Sequence, residues 1–350
     1  MKTVNLGDLT KIENAIKLYD LDIYTLGAMA DEIRQKYFGK KVFFNSNRHL
    51  NPTNQCADTC KFCGFSAHRK NPNPYTLSLD EILEQAQNAI NLGALELHIV
   101  GAHNPKLTLK WYLEVFKTLK EKFPQIHIKA LTAAEVNFIA KKAKKSHDEV
   151  LELMVQNGVD SMPGGGAEIF DETIRECICK GKVDSKTWLE IHGKWHSLGR
   201  KSNATMLFGH IEKREHRIDH LLRLYHQQEK SGGFNAFIPL VYQKENNFLE
   251  VKDFPSGQEV LKTIAISRIL LPNIPHIKAY WATLGFNLAL IAQEFGADDI
   301  DGTIQKEAIQ SASGSKSANG ILKEEIIYQI KDAGFIPVER DSMYNEIHIY

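Results

Sequence analysis

Three cysteines stand close together in NPTNQCADTCKFCGF, where Cys56, Cys60 and Cys63 follow a C-x3-C-x2-C spacing. Three thiolates on so short a loop can wrap around one metal centre. Asp, Thr and Lys lie between them, which argues against three small side chains simply buried on an apolar face. A structural zinc site uses four ligands, usually as two pairs from separate segments. The other two cysteines, Cys177 and Cys179, lie more than a hundred residues further on, so zinc would need a histidine such as His68. An ordinary [4Fe–4S] cluster also takes four cysteines. Three would leave one iron open to a substrate or cofactor, as catalytic metal sites require. The spacing therefore points to an iron–sulfur cluster with an open position, with zinc or unrelated cysteines as the alternatives.

Elements able to position such a loop follow from the rest of the chain. Short apolar or β-branched runs recur at 41–45, 96–102, 126–132, 160–165, 203–209, 235–240, 276–282 and 298–304, and amphipathic stretches separate most of them. Eight strands alternating with helices predict an α/β fold, a (β/α)8 TIM-type barrel whose active site lies at the C-terminal mouth of the strands. An open doubly wound sheet is the alternative. Reactive and flexible residues gather at the predicted strand ends: His103, Glu135, Gly164–Gly166, His210, Glu212 and Asp301. Residues 1–40 read as a helical N-terminal extension and 41–350 as the barrel. No long linker interrupts them, so a single domain is expected.

Composition narrows the function classes. The chain has 350 residues, 43% of them hydrophobic, and its 43 Lys plus Arg balance 43 Asp plus Glu. A net charge of zero gives no basic surface for nucleic acid. The polar, acid-containing N-terminus is unlike a secretion signal, and no run approaches the ~18 apolar residues of a membrane span. A cytoplasmic protein is expected, with no nucleic-acid or membrane partner; the oligomeric state stays open.

The cysteine spacing after the first strand, with Phe62 before the third cysteine, resembles the radical S-adenosylmethionine (SAM) superfamily. That resemblance implies a [4Fe–4S] cluster on Cys56, Cys60 and Cys63 whose open iron binds SAM, and reductive cleavage of SAM to a 5′-deoxyadenosyl radical. Five further segments, NRHLNPTNQCADTCKFCGFSAHR, HIVGAHNP, DSMPGGGAEIF, NATMLFGHIE and HIKAYWATLG, resemble the aminofutalosine synthase family of menaquinone biosynthesis. It implies that the radical adds to 3-[(1-carboxyvinyl)oxy]benzoate and gives 6-amino-6-deoxyfutalosine, with SAM consumed as co-substrate. An electron donor such as flavodoxin or ferredoxin is implied as well. One departure is Gly64, where the family leads one to expect alanine, a small-for-small exchange.

The resemblance also suggests roles. Gly101, His103 and Asn104, after the second strand, would meet the methionine end of SAM, and an ordinary turn explains them too. Gly209 and Glu212 match parts of an adenine-contacting motif; Glu212 would otherwise be a helix-start acid. Glu135 would bind the ribose, with the same alternative. Gly164, Gly165 and Gly166 let backbone N–H groups approach a ligand oxygen. A substrate with two carboxylates needs basic groups at the mouth, and Arg48, His49, Arg69 and Lys278 are the candidates. His210 and His103 are candidates to move protons. Cys177 and Cys179 read as structural. A dehypoxanthine futalosine cyclase or deazaflavin-cofactor synthase shares the same loop, and a non-catalytic iron–sulfur or zinc protein is the reading from another class.

Overall fold

A computed structural model describes residues 6–68, 71–306, 308–315 and 320–350. The chain opens with a short helix Ile12–Ala15, a 3-10 turn Ile16–Asp20 and the helix Ile23–Phe38. Asp22 caps the last of these by accepting from the N–H groups of Tyr24 and Thr25. This opening segment packs on the helix Gly257–Leu270, where Lys262 Nζ donates to the carbonyls of Tyr19 at 2.9 Å and Leu21 at 2.6 Å.

Among the described residues eleven strands follow: β1 (Lys41–Asn45), β2 (Asn47–Leu50), β3 (Glu96–Ile99), β4 (His127–Ala130), β5 (Ser161–Met162), β6 (Lys201–Phe208), β7 (Phe234–Val241), β8 (His276–Ile277), β9 (Asp299–Gly302), β10 (Ile336–Arg340) and β11 (Glu346–Ile349). Strands β2 to β8 form one parallel sheet in chain order. β9 continues the curve through a single bridge, Lys278 to Asp299, and pairs in parallel with β1. Since β1 runs directly into β2 across Ser46, all eight expected strands form, and the fold is the expected α/β barrel, closed sparsely at β8–β9. Gly and Pro after Met162 stop β5 at two residues, and a turn into the helix Trp281–Leu284 shortens β8. The expected strands did not include β10 and β11, which extend the β1 edge, β11 antiparallel to β10.

Helices cover the outer face, and sequence dictates where they start. Ser78, Thr132 and Ser146 each close a capping box with a glutamate three residues on. The barrel interior holds a layer of paired charges. Glu96 and Lys129 lie 2.6 Å apart, Lys278 and Asp301 3.0 Å, and Arg340 and Asp299 2.6 Å, all buried. Burial alone would push the Glu96 carboxyl up, but the Lys129 ammonium holds it well below the usual range. Among the described residues no helix is long and apolar enough to cross a membrane.

Candidate functional site

The cysteine loop leaves β2 and is tied to four other segments. Ala102 N donates to the Thr53 carbonyl at 3.0 Å, and Ala57 N to the His103 carbonyl at 3.0 Å. Lys61 N donates to the Ile178 carbonyl at 2.8 Å, and the Lys61 carbonyl accepts from Phe248 N at 2.6 Å. Gly64 N donates to Ser313 Oγ at 3.0 Å. So fixed, Cys56, Cys60 and Cys63 line one cavity of about 270 Å3 inside the barrel mouth.

The thiols are not surrounded by apolar groups alone. Cys56 Sγ accepts from His103 N and Cys63 Sγ from Ser66 N, each at 3.4 Å. Burial raises all three thiol pKa values, Cys60 well above the ordinary value, and the nearby Lys182 charge opposes that rise. Lys182 Nζ pairs with Glu168 Oε1 at 2.7 Å and lies 5.7 Å over the Phe62 ring. A cation and N–H donors aimed at sulfur suit thiolates holding a cationic iron centre. Among the described residues no three His, Cys, Asp or Glu side chains are close enough to share one metal ion. His68 Nε2 sits 3.1 Å from the Cys63 carbonyl oxygen, tied to the loop backbone.

Several expected residues meet at this cavity. Phe62, Gly101, His103, Glu135 and Gly164–Gly166 line it with His49. His103 Nδ1 bonds Asp58 Oδ2 at 2.8 Å, and its ring stacks on Phe138. Burial would raise the Asp58 carboxyl, yet the His103 bond and charge hold it below the usual range. Glu135 accepts from Gly101 N at 3.0 Å and from Thr132 N and Oγ1, both at 2.8 Å, so it caps its helix and also fixes the strand-end turn. At Gly164 a Cβ would lie 2.7 Å from the Ala204 carbonyl carbon, because β6 packs directly on this turn.

Others face elsewhere. Asn104 turns to Thr53 Oγ1 at 2.9 Å and Thr76 Oγ1 at 3.0 Å, bracing the cysteine loop from outside the cavity. Arg48 is sent to the opposite face from His49 by strand alternation. Lys278 is held by Asp301 in the interior charge layer. Glu212 is engaged by Gly209 N at 2.7 Å, His210 N at 2.9 Å and Arg217 at 2.7 Å, and neither it, Gly209 nor His210 lines the cavity. His210 Nε2 sits 3.1 Å from the Leu207 carbonyl, and burial lowers its pKa. Arg69 lies outside the described residues. Accordingly, Glu212→Gln should destabilise the fold by about 1–3 kcal/mol, because Gly209 N, His210 N and Arg217 lose a charged acceptor, although Glu259 at 2.8 Å still pairs Arg217. The KM for SAM should stay unchanged per folded molecule; a selective rise would place Glu212 at the ligand.

Sequence reasoning passed over Asp58, Lys182, Asn203, Tyr242 and Tyr280, all on the cavity wall. Lys182 sits in a plain KGKVD turn, and nothing in one sequence distinguishes it from a solvated lysine. Tyr280 lies within HIKAYWATLG but carried no role there. The Lys61–Ile178 bond also brings Cys179, distant in sequence, beside Cys60. Gly64 is not interchangeable with alanine: a Cβ would meet the Ala312 carbonyl oxygen at 2.6 Å and Ser313 Oγ at 2.8 Å. Gly64→Ala should therefore cost about 1–3 kcal/mol and lower bound iron, measured by thermal unfolding and iron assay.

The chain matches the model of the Radical SAM superfamily over residues 50–224 and that of the CofH/MqnC C-terminal region over 231–349. It is 39% identical to aminodeoxyfutalosine synthase of Thermus thermophilus over 98% of this chain and 94% of that protein. With aminodeoxyfutalosine synthase of Streptomyces coelicolor it shares 37% over 99% and 93%. A 5-amino-6-(D-ribitylamino)uracil–L-tyrosine 4-hydroxyphenyl transferase of Archaeoglobus fulgidus is 38% identical over 92% and 93%. Methylornithine synthase shares the fold, with a TM-score of 0.76 over 95% of both chains at 17% identity.

Proposed function

This chain belongs to the radical SAM superfamily and to the group in it that contains the aminodeoxyfutalosine synthases, and from that premise we propose that it joins the 5′-deoxyadenosyl group of SAM to 3-[(1-carboxyvinyl)oxy]benzoate, releasing methionine and one carboxyl as carbon dioxide or bicarbonate, to give 6-amino-6-deoxyfutalosine for menaquinone biosynthesis. The observation that carries the reading is near-full-length similarity to two such synthases, with three cysteines lining one cavity at the barrel mouth. When bound, the cluster and SAM supply one electron and the adenosyl radical; a flavodoxin or ferredoxin would deliver that electron.

The chain's own residues bind, orient and shield. Cys56, Cys60 and Cys63 hold the cluster, with His103 N and Ser66 N directed at two of the sulfurs. Lys182 offsets thiolate charge, and Glu168 fixes it in place. Glu135 holds the Gly101 turn in shape against the methionine end of SAM. The Gly164–Gly166 turn brings backbone close to the ligand, and the barrel wall keeps out water that would quench a radical.

The test is anaerobic: cluster-loaded protein, SAM, a strong reductant and the benzoate, with products read by mass spectrometry. An adduct of aminofutalosine mass is expected. Free 5′-deoxyadenosine without adduct would move the chain to the cyclase reading. The transferase relatives support one further trial, with L-tyrosine and 5-amino-6-(D-ribitylamino)uracil as substrates; turnover there in place of the adduct would overturn the synthase assignment.

A further inference from the structure

We propose that the cavity wall formed by His49, His98 and Tyr280 seats the substrate's aryl carboxylate, with the aryl ring lying parallel to the His49 and Tyr280 rings and the imidazoles donating to the carboxylate; this rests on the function proposed above. His49 comes from β2, His98 from the adjacent β3, and Tyr280 from the segment that follows β8. All three line the cavity. The His49 and Tyr280 rings are parallel within 6°, with centroids 6.5 Å apart, and His98 lies 4.5 Å from His49. Two parallel faces impose one orientation on any planar ring that packs against them, and offset stacking is the favoured geometry.

Hydrogen-bond donors point to the same wall, where burial holds the His98 imidazole neutral. A benzoate needs a cationic or N–H partner once it leaves water. Among the described residues that line the cavity, Lys182 is engaged by Glu168 and His103 by Asp58, both beside the cysteines. Arg48 and Lys278 do not reach the cavity. The amide nitrogens of Asn203 and Gln243 also line the cavity, but they donate to Asn235 and to the Val241 and Thr283 carbonyls, whereas the imidazoles of His49 and His98 lie within an aromatic surface. Asp301 also lines this wall, but Lys278 at 3.0 Å and Asn47 at 2.8 Å occupy its oxygens, and its charge attracts His49.

The test uses the cluster-loaded protein and the benzoate as probe, measuring KM by product mass and Kd by calorimetry. His49→Gln should raise Kd about 10- to 100-fold, the loss expected of a hydrogen bond to a charged group. Tyr280→Leu should raise it about 5- to 10-fold, and Tyr280→Phe should recover most of that loss, because the ring face is what acts. The electron paramagnetic resonance signal of the cluster with SAM added should stay unchanged in all three. Unaltered Kd in both His49→Gln and Tyr280→Leu overturns the proposal, as does a parallel loss of the SAM-dependent signal. If wild type binds the benzoate but forms no adduct, the function fails, while selective weakening by the same variants still supports the seat. No binding by wild type overturns both.

Discussion

Cys60→Ala is expected to fold but to lose the brown iron–sulfur absorbance and all SAM cleavage, with both falling to background. The same holds for Cys56→Ala and Cys63→Ala, since each thiol lines the cavity and no fourth cysteine does so. Cys179→Ala supplies the contrast. Its side chain is near Cys60 yet packs in the hydrophobic core, so its removal should leave iron and sulfide content near wild type. Chemical assay of iron and sulfide, with circular dichroism to check folding, reads both outcomes. Full iron content in Cys60→Ala, or its loss in Cys179→Ala, would mean that the ligand set is wrong.

Lys129→Met should give the largest loss of stability. Glu96 and Lys129 are buried, and removing the ammonium leaves a carboxylate without its only ion-pair partner among the described residues. Breaking a buried pair this way costs about 3–5 kcal/mol. The pH dependence follows from the sign. In wild type the Glu96 pKa is depressed, so its contribution is present above the unfolded carboxylate value of about 4.3 and is lost as pH falls through the folded value. In the variant burial raises the same pKa, so the penalty is greatest near neutrality and shrinks as acid protonates Glu96. Thermal midpoints at pH 7 and pH 5 should therefore converge between the two proteins. Glu96→Leu with Lys129→Met should recover much of the loss; equal midpoints for wild type and Lys129→Met at pH 7 would refute the account.

The barrel was legible because strand and helix periods alternate so regularly, and the cysteine loop because three cysteines within eight residues stand out from the rest of the chain. Strand ends located Gly101, His103, Glu135 and the glycine turn at the cavity, since parallel strands all point their C-terminal ends one way. What stayed hidden depends on pairings between remote segments. Lys278 resembles a substrate cation until Asp301 is found beside it, and Glu212 resembles a ligand group until Arg217 takes its oxygen. Arg48 and His49 are neighbours in sequence, yet the two-residue period of a strand puts only one of them at the cavity. Gly64 shows the same limit, for its need to lack a side chain comes from Ala312, far along the chain.

The contacts of Lys61 with Phe248 and of Gly64 with Ser313 have a consequence for how the protein matures. Translation delivers the three cysteines early and the strips that close over them last. Each nascent chain thus passes through an interval in which the loop exists and its cover does not. Iron and sulfide have open access during that interval. Once the C-terminal third has docked, the loop is fastened at Lys61 and Gly64, and its cysteines are only partly open to solvent.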